Sequence, residues 1–164
     1  MNIVLNVSDF STEYLYFLDK KINIVFNGVF TKIMYSNELF LMNGIYFKFP
    51  LEIMKVSESI NKLYISFQVY NKVNIKIIQD FTSIEIMILE QYKKMNNCNK
   101  KINNTLSKQL YSGSLKVFQA GRIDNQEKLG QYSLQTATFP FIIKMSGVWE
   151  TNDEIGITYK MYKS

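Results

Sequence analysis

The amino-acid sequence predicts a mainly β (α+β) domain of antiparallel strands with one helix at about residues 82–96. Two observations carry that reading. Short segments of alternating apolar and polar residues are separated by turn dipeptides, and such links are too short for a parallel crossover. Midway along the chain the apolar period changes from that of a strand to that of a helix, then changes back.

The first half reads as a meander. KINIVF-NG-VFTKIMYS sets Asn27-Gly28 between alternating segments, the dipeptide that tight type I′ hairpins favour, and LFLM-NG-IYFKF repeats the device at Asn43-Gly44. From Tyr64 to Tyr70, Ile65, Phe67 and Val69 share one face, while Tyr64, Ser66, Gln68 and Tyr70 share the other. Asn71-Lys72 then leads into VNIKII, where Val73, Ile75 and Ile77 form the apolar face of a further strand. Thr82 opens the pattern T-x-x-E with Glu85, a capping box, and Ile84, Met87, Ile88, Tyr92 and Met95 recur at helical spacing. Lys93 and Lys94 fall in the last turn, where cations suit the helix dipole. The stretch KKMNNCNKKINN, residues 93–104, is then the frayed helix end running into a loop.

Further on, Leu106 and Leu110 suit one short helical turn, and SGSLKVF suits a strand. Residues 120–138 read as a long polar loop, and FIIKMSGVW and IGITYKMY as strands joined across ETNDE. No repeat or second composition class divides the chain, so residues 1–164 form a single domain. Strands, a helix, then more strands is the order of an OB-type Greek-key barrel. A two-layer α+β sheet satisfies the same order.

Composition excludes several classes of function. One Cys and no His leave no internal disulfide, no usual zinc site and no His-dependent general base or triad. Neither a GxxxxGK[ST] nor a GxGxxG occurs, so nothing cradles a nucleotide phosphate in those ways. The chain is expected to be no enzyme and to need no cofactor. No apolar run approaches the ~18 residues of a membrane span, and MNIVLNVSDF lacks the basic start and apolar core of a signal peptide. The expected setting is intracellular and non-membrane.

Charge placement is the strongest functional signal. Between Glu90 and Asp124 stands no acidic residue but seven basic ones: Lys93, Lys94, Lys100, Lys101, Lys108, Lys116 and Arg122. These exceed the net +5 of the whole chain, so the remainder is slightly acidic. Dense lysine neutralises phosphates without demanding fixed geometry, which points to an anionic polymer; a solvated lysine loop from an A/T-rich coding sequence is the plainer reading. Aromatics accompany the charges. Tyr92 and Tyr111 flank the segment, Phe118 follows Lys116, and Tyr46 with Lys48, Tyr64 with Tyr70, and Tyr159 with Lys160 and Tyr162 repeat the combination. Unpaired bases stack on such rings, although cross-strand packing uses the same residues. Phe47, Phe49 and Phe67 are expected in the core, and Tyr46, Tyr64 and Tyr70 are open between the two roles.

Other groupings are weaker. Glu150, Asp153 and Glu154 cluster as a Mg²⁺ site would, yet a polar hairpin turn accounts for them. Cys98 has basic neighbours but no His or second Cys, which leaves a loop thiol without a role.

The closing stretch FPFIIKMSGVWETNDEIGITYKMY resembles the last hairpin of small single-stranded DNA-binding proteins of large DNA viruses and related A/T-rich DNA elements. A strand ending SG-[VI]-WE, a short acidic turn and a strand beginning G-[IL]-TYK carry the resemblance, over about residues 139–162. It implies an OB-type fold, binding to unpaired DNA during replication, and location in host cytoplasm, nucleus or virion. By position it makes Lys144, Trp149, Tyr159 and Lys160 candidates for DNA contact or barrel closure. The expected partner is single-stranded DNA, with self-association along the strand. The competing expectation is a viral structural or host-interaction protein whose β surface meets proteins.

Overall fold

The computed structural model describes residues 3–25, 27–59, 62–118 and 141–163. After single 3-10 turns at Val7–Asp9 and Thr12–Tyr14, the chain forms β1 (Leu15–Phe17), β2 (Lys21–Asn23), β3 (Gly28–Ser36), β4 (Leu41–Asn43), β5 (Ile45–Phe49), β6 (Lys55–Ser59) and β7 (Lys62–Ser66). Helix α1 (Lys72–Asn96) follows, then β8 (Lys101–Ile102), α2 (Thr105–Tyr111), β9 (Ser114–Val117), β10 (Phe141–Glu150) and β11 (Glu154–Lys163). The protein is mostly β, with one large sheet curled into a half barrel. Among the described residues no helix is long and apolar enough to cross a membrane.

The large sheet is built on β3, β10 and β11. β10 pairs with β11 along its length and with β3 through Gly147–Glu150. Beyond that, β3 and β10 part, and one bent stretch of chain fills the gap: β4 pairs with β3, and β5 with β10. The bend falls at Gly44, whose φ of +83° suits glycine and few other residues. A bulge between Met145 and Gly147 turns β10 at the same level. β1 and β2 line the other side of β3. The pairing is not wholly antiparallel: β8 runs parallel to β11, and Phe118 bridges in parallel to Tyr162. A second, antiparallel sheet has the order β6-β7-β9.

α1 is longer than its sequence signals suggest. Asn71 caps it by accepting a 2.6 Å hydrogen bond from the Asn74 amide. Buried Asn74 donates to the carbonyls of Glu52 and Gln68 and accepts from the Glu52 amide, clamping two loops to the first turn. Residues 73–77 are therefore helical and not a strand. Their period-two alternation is incidental: Val73 is exposed, while Asn74, Ile78, Phe81, Ile84, Ile88 and Tyr92 make the buried stripe. The capping box at Thr82 is also absent, because Thr82 lies mid-helix and its hydroxyl donates to the Ile78 carbonyl. Met87 and Met95, assigned to the apolar stripe, are exposed. Lys93 and Lys94 do close the last turn, and Leu106 and Leu110 sit buried on α2.

Neither Asn-Gly pair makes a two-residue hairpin. Asn23 pairs with Gly28, so a longer connection joins β2 to β3, and Gly28 already belongs to the strand. A Cβ there would run into the Glu150 carbonyl, so glycine serves a close strand approach. Asn43-Gly44 is the corner between β4 and β5, which do not pair with each other. The polar loop expected at 120–138 lies outside the described residues.

The core lies between the inner face of the half barrel and α1. Phe47 and Phe49 meet Phe81 edge-on at 5.6 and 4.8 Å between centroids, and Phe67 is buried as expected. Burying each such ring contributes about 1.5–3 kcal/mol.

Candidate nucleic-acid interface

Register sorts the large sheet into two faces, since paired residues share a side. The inner set includes Thr31, Ile33, Tyr35, Ile45, Phe47, Ile143, Met145, Val148 and Ile157, all buried. The outer set is of another kind. Across the strands run Lys21, Phe30, Trp149 and Gly156; then Lys32, Gly147 and Thr158; then Tyr46, Lys144 and Lys160; then Lys48, Ile142 and Tyr162. Tyr16, half exposed, stands opposite Met34 at one end. Five lysines thus interleave with five rings. Glu154, at the corner beside Lys101, is the one carboxylate at a paired outer position of the described residues, and it accepts a hydrogen bond from Asn103.

Two of the rings lie over glycines. A Cβ on Gly147 would strike the Phe30 ring, and one on Gly156 would strike the Trp149 indole. Missing side chains let each ring rest on backbone instead of standing up from the sheet, and both remain only partly covered. The Lys144 ammonium sits 5.0 Å from the Tyr46 ring centroid, a cation–π pair directly across strands. Rings laid on a lysine-studded sheet offer π-faces and positive charge together, as unpaired bases and their phosphates require.

A cleft continues this face at the far edge of β11. Its volume is about 380 Å³, and Tyr64, Gln109, Lys116, Phe118, Tyr159 and Lys160 line it. The Phe118 amide donates to the Met161 carbonyl at 2.7 Å, fixing the end of β9 beside β11. Both Lys116 and Lys160 direct ammonium groups at the Phe118 ring, at 4.8 and 5.3 Å from its centroid. Burial pushes the Tyr159 phenol up to about 12, with the Glu85 charge adding to the shift.

The expected site residues therefore divide. Tyr46, Lys48, Lys144, Trp149 and Lys160 share the outer face, with Lys101 at its β8 corner opposite Glu154, and Tyr64, Lys116, Tyr159 and Lys160 line the cleft. Lys93, Lys94, Lys108 and Tyr111 belong to the two helices, and Tyr70 lies exposed just before the Asn71 cap, 81% accessible. Arg122 lies outside the described residues. KKMNNCNKKINN is no frayed loop: it holds the end of α1, a left-handed cap at Asn97, buried Cys98 and strand β8.

Lys100 has an internal task. Its ammonium pairs with the Glu150 carboxylate at 2.7 Å and donates to the Thr151 carbonyl at 2.6 Å. Lys20 reaches the same carboxylate at 3.2 Å, and the Tyr92 hydroxyl donates to it at 2.7 Å. Burial alone pushes the Glu150 carboxyl up, but hydrogen bonds from Lys100, Tyr92 and Lys20 outweigh it and hold the group at about 2. Desolvation raises the Tyr92 phenol. Glu150 is thus a buried counter-ion whose oxygens are already taken. Glu85, also buried, accepts from the amides of Leu106 and Ser107 and so caps α2.

Sequence reasoning missed Lys21, Phe30, Lys32 and Tyr16. The available signal was VFTKIMYS itself, in which Phe30, Lys32 and Met34 alternate against Thr31, Ile33 and Tyr35.

No family model matches the chain, nor does any curated protein or solved structure.

Proposed function

We propose that the protein is a sequence-tolerant binder of single-stranded DNA that holds unpaired strands on the outer face of its large sheet. One observation carries the reading: Lys21, Lys32, Lys48, Lys144 and Lys160 interleave there with Phe30, Tyr46, Trp149 and Tyr162. Lysines of this spacing neutralise successive phosphates, and ring faces stack on bases of any identity, which gives affinity without sequence reading. Duplex DNA hides its base faces and gains only the charge term. In this reading the half barrel is an OB-type Greek key, and the C-terminal hairpin is that of single-stranded DNA-binding proteins of viral or related elements. The protein then works in replication, within a host cell or virion. Self-association along the strand is supported by Ile22 of the edge strand β2 and by Ile24 and Val25 just after it, 86, 97 and 83% exposed.

Fluorescence anisotropy of labelled oligothymidylate and a matched duplex, over a salt series, tests the reading. Preference for the single strand, with a log–log slope near −0.7 for each phosphate contact, is expected. Equal, weak binding to both would sink it. The same exposed residues favour a second reading, a β surface that meets other proteins of a virus or host. Sedimentation with and without DNA separates the two: assembly only on DNA supports the first, and DNA-independent assembly by a chain that binds no DNA supports the second.

A further inference from the structure

We propose that the cleft beside β11 is a phosphomonoester site, distinct from the sheet face, that takes the phosphorylated end of a bound strand; this rests on the nucleic-acid reading above. Lys116 and Lys160 come from strands of different sheets, yet one ring gathers both ammonium groups. Two like charges held on one ring repel each other, and the ring quadrupole offsets only part of that. Among the described residues neither lysine makes a salt bridge, and no carboxylate lines the cleft. An anion in the cleft that both lysines line would complete the charge balance.

The chemistry of that anion follows from charge and space. A phosphomonoester carries about −1.5 to −2 at neutral pH, matching two ammonium groups, whereas each backbone diester carries a single charge. A cleft of about 380 Å³ is at the small end for ligand pockets, room for a terminal phosphate with its sugar or base and not for a passing strand. Gln109 adds a polar side chain to the lining, and Tyr64 stands directly opposite Lys116 across β7 and β9. Continuity with the face is direct. Lys160 belongs to both sites, and the Phe118 and Tyr162 rings stand 6.4 Å apart.

The test compares oligothymidylates of one length bearing a 5′-phosphate, a 3′-phosphate or hydroxyls at both ends, each bound to the full chain at low salt. One phosphorylated end should bind about fivefold more tightly than the hydroxyl-ended strand. Lys116→Gln, at an exposed position, should erase that preference and leave the hydroxyl-ended affinity unchanged. Lys48→Gln, on the sheet face, should weaken all three strands and keep their ratio. Equal affinities in the parent, or a preference that survives Lys116→Gln, would overturn the proposal. Competition by dTMP distinguishes the sources of the phosphate: if dTMP binds more tightly than the phosphorylated strand, the strand-end source is overturned. Should no oligothymidylate bind while dTMP binds the parent and not Lys116→Gln, the sheet-face reading fails and the phosphate site stands.

Discussion

The outer sheet face and the segment from the last turn of α1 to β9 are both rich in lysine, and the fold uses the two sets differently. On the sheet, register places Lys21, Lys32, Lys48, Lys144 and Lys160 on the same side as Phe30, Tyr46, Trp149 and Tyr162. In the segment, Lys100 is bound to Glu150, Lys108 donates to Asn103, and Lys93 and Lys94 close a helix. The denser run in the sequence is therefore divided among separate local tasks. Lysine density along a chain measures charge; only a regular strand register turns it into a surface.

The comparison breaks most readily by discharging the sheet. Lys32→Ala, Lys48→Ala and Lys144→Ala together should weaken oligothymidylate binding roughly a hundredfold near physiological salt and flatten the salt slope by about 2. Unchanged affinity in anisotropy would mean that the face is not the interface. Thermal unfolding should separate the internal lysine from these. Lys100→Ala is expected to cost about 2 kcal/mol, because Glu150 keeps its burial and loses its nearest cation. Binding by the folded fraction should stay the same.

The pH dependence of the same carboxylate has a definite sign. Its folded value of about 2 lies below the ordinary 4.5, so its stabilisation is fully present above pH 4.5. That contribution, about 2 kcal/mol after discounting for the half-exposed lysines, is lost as pH falls from 4.5 towards about 2. Glu150→Gln should flatten this limb of an acid-unfolding curve, and an unaltered limb would show that the carboxylate is not its cause.

A smaller effect sharpens the role of the rings. Phe30→Leu keeps Gly147 covered and removes a stacking face, and a loss of about tenfold in affinity is expected. Trp149 reports on the same step, since it is the single Trp of the chain and its fluorescence should be quenched by oligothymidylate. An indole signal indifferent to saturating DNA would remove Trp149 from the interface. The smallest effect belongs to the helix ends: Lys93→Ala with Lys94→Ala and Lys108→Ala should change affinity by no more than about twofold. A loss rivalling that of the sheet variant would reverse the comparison.

Much of the fold was legible before the structure. The helical stripe from Ile84 to Tyr92 and the two C-terminal strands appear near their expected places, while of the alternation expected from Tyr64 to Tyr70 only Tyr64–Ser66 is strand, at the end of β7. Errors arose where local patterns were ambiguous. Val73, Ile75 and Ile77 alternate as a strand does, but the Asn71 and Asn74 side chains start a helix there through bonds to residues 52 and 68. Each Asn-Gly pair resembled a turn, yet the neighbouring backbone at Glu150 and the parting of β3 from β10 decide what Gly28 and Gly44 do.

The sequence by itself determined a β-rich chain with a central helix, the alternation within each strand, and a chemistry without histidine or paired cysteine. Those are properties of near neighbours and of residue types, which need no knowledge of the rest of the chain. Tertiary structure alone decided which lysines act together. Lys144 meets Tyr46, and Lys116 and Lys160 meet on Phe118, because strands distant in the chain pair in one register. A shift of one residue in that register would send every one of these side chains to the opposite face.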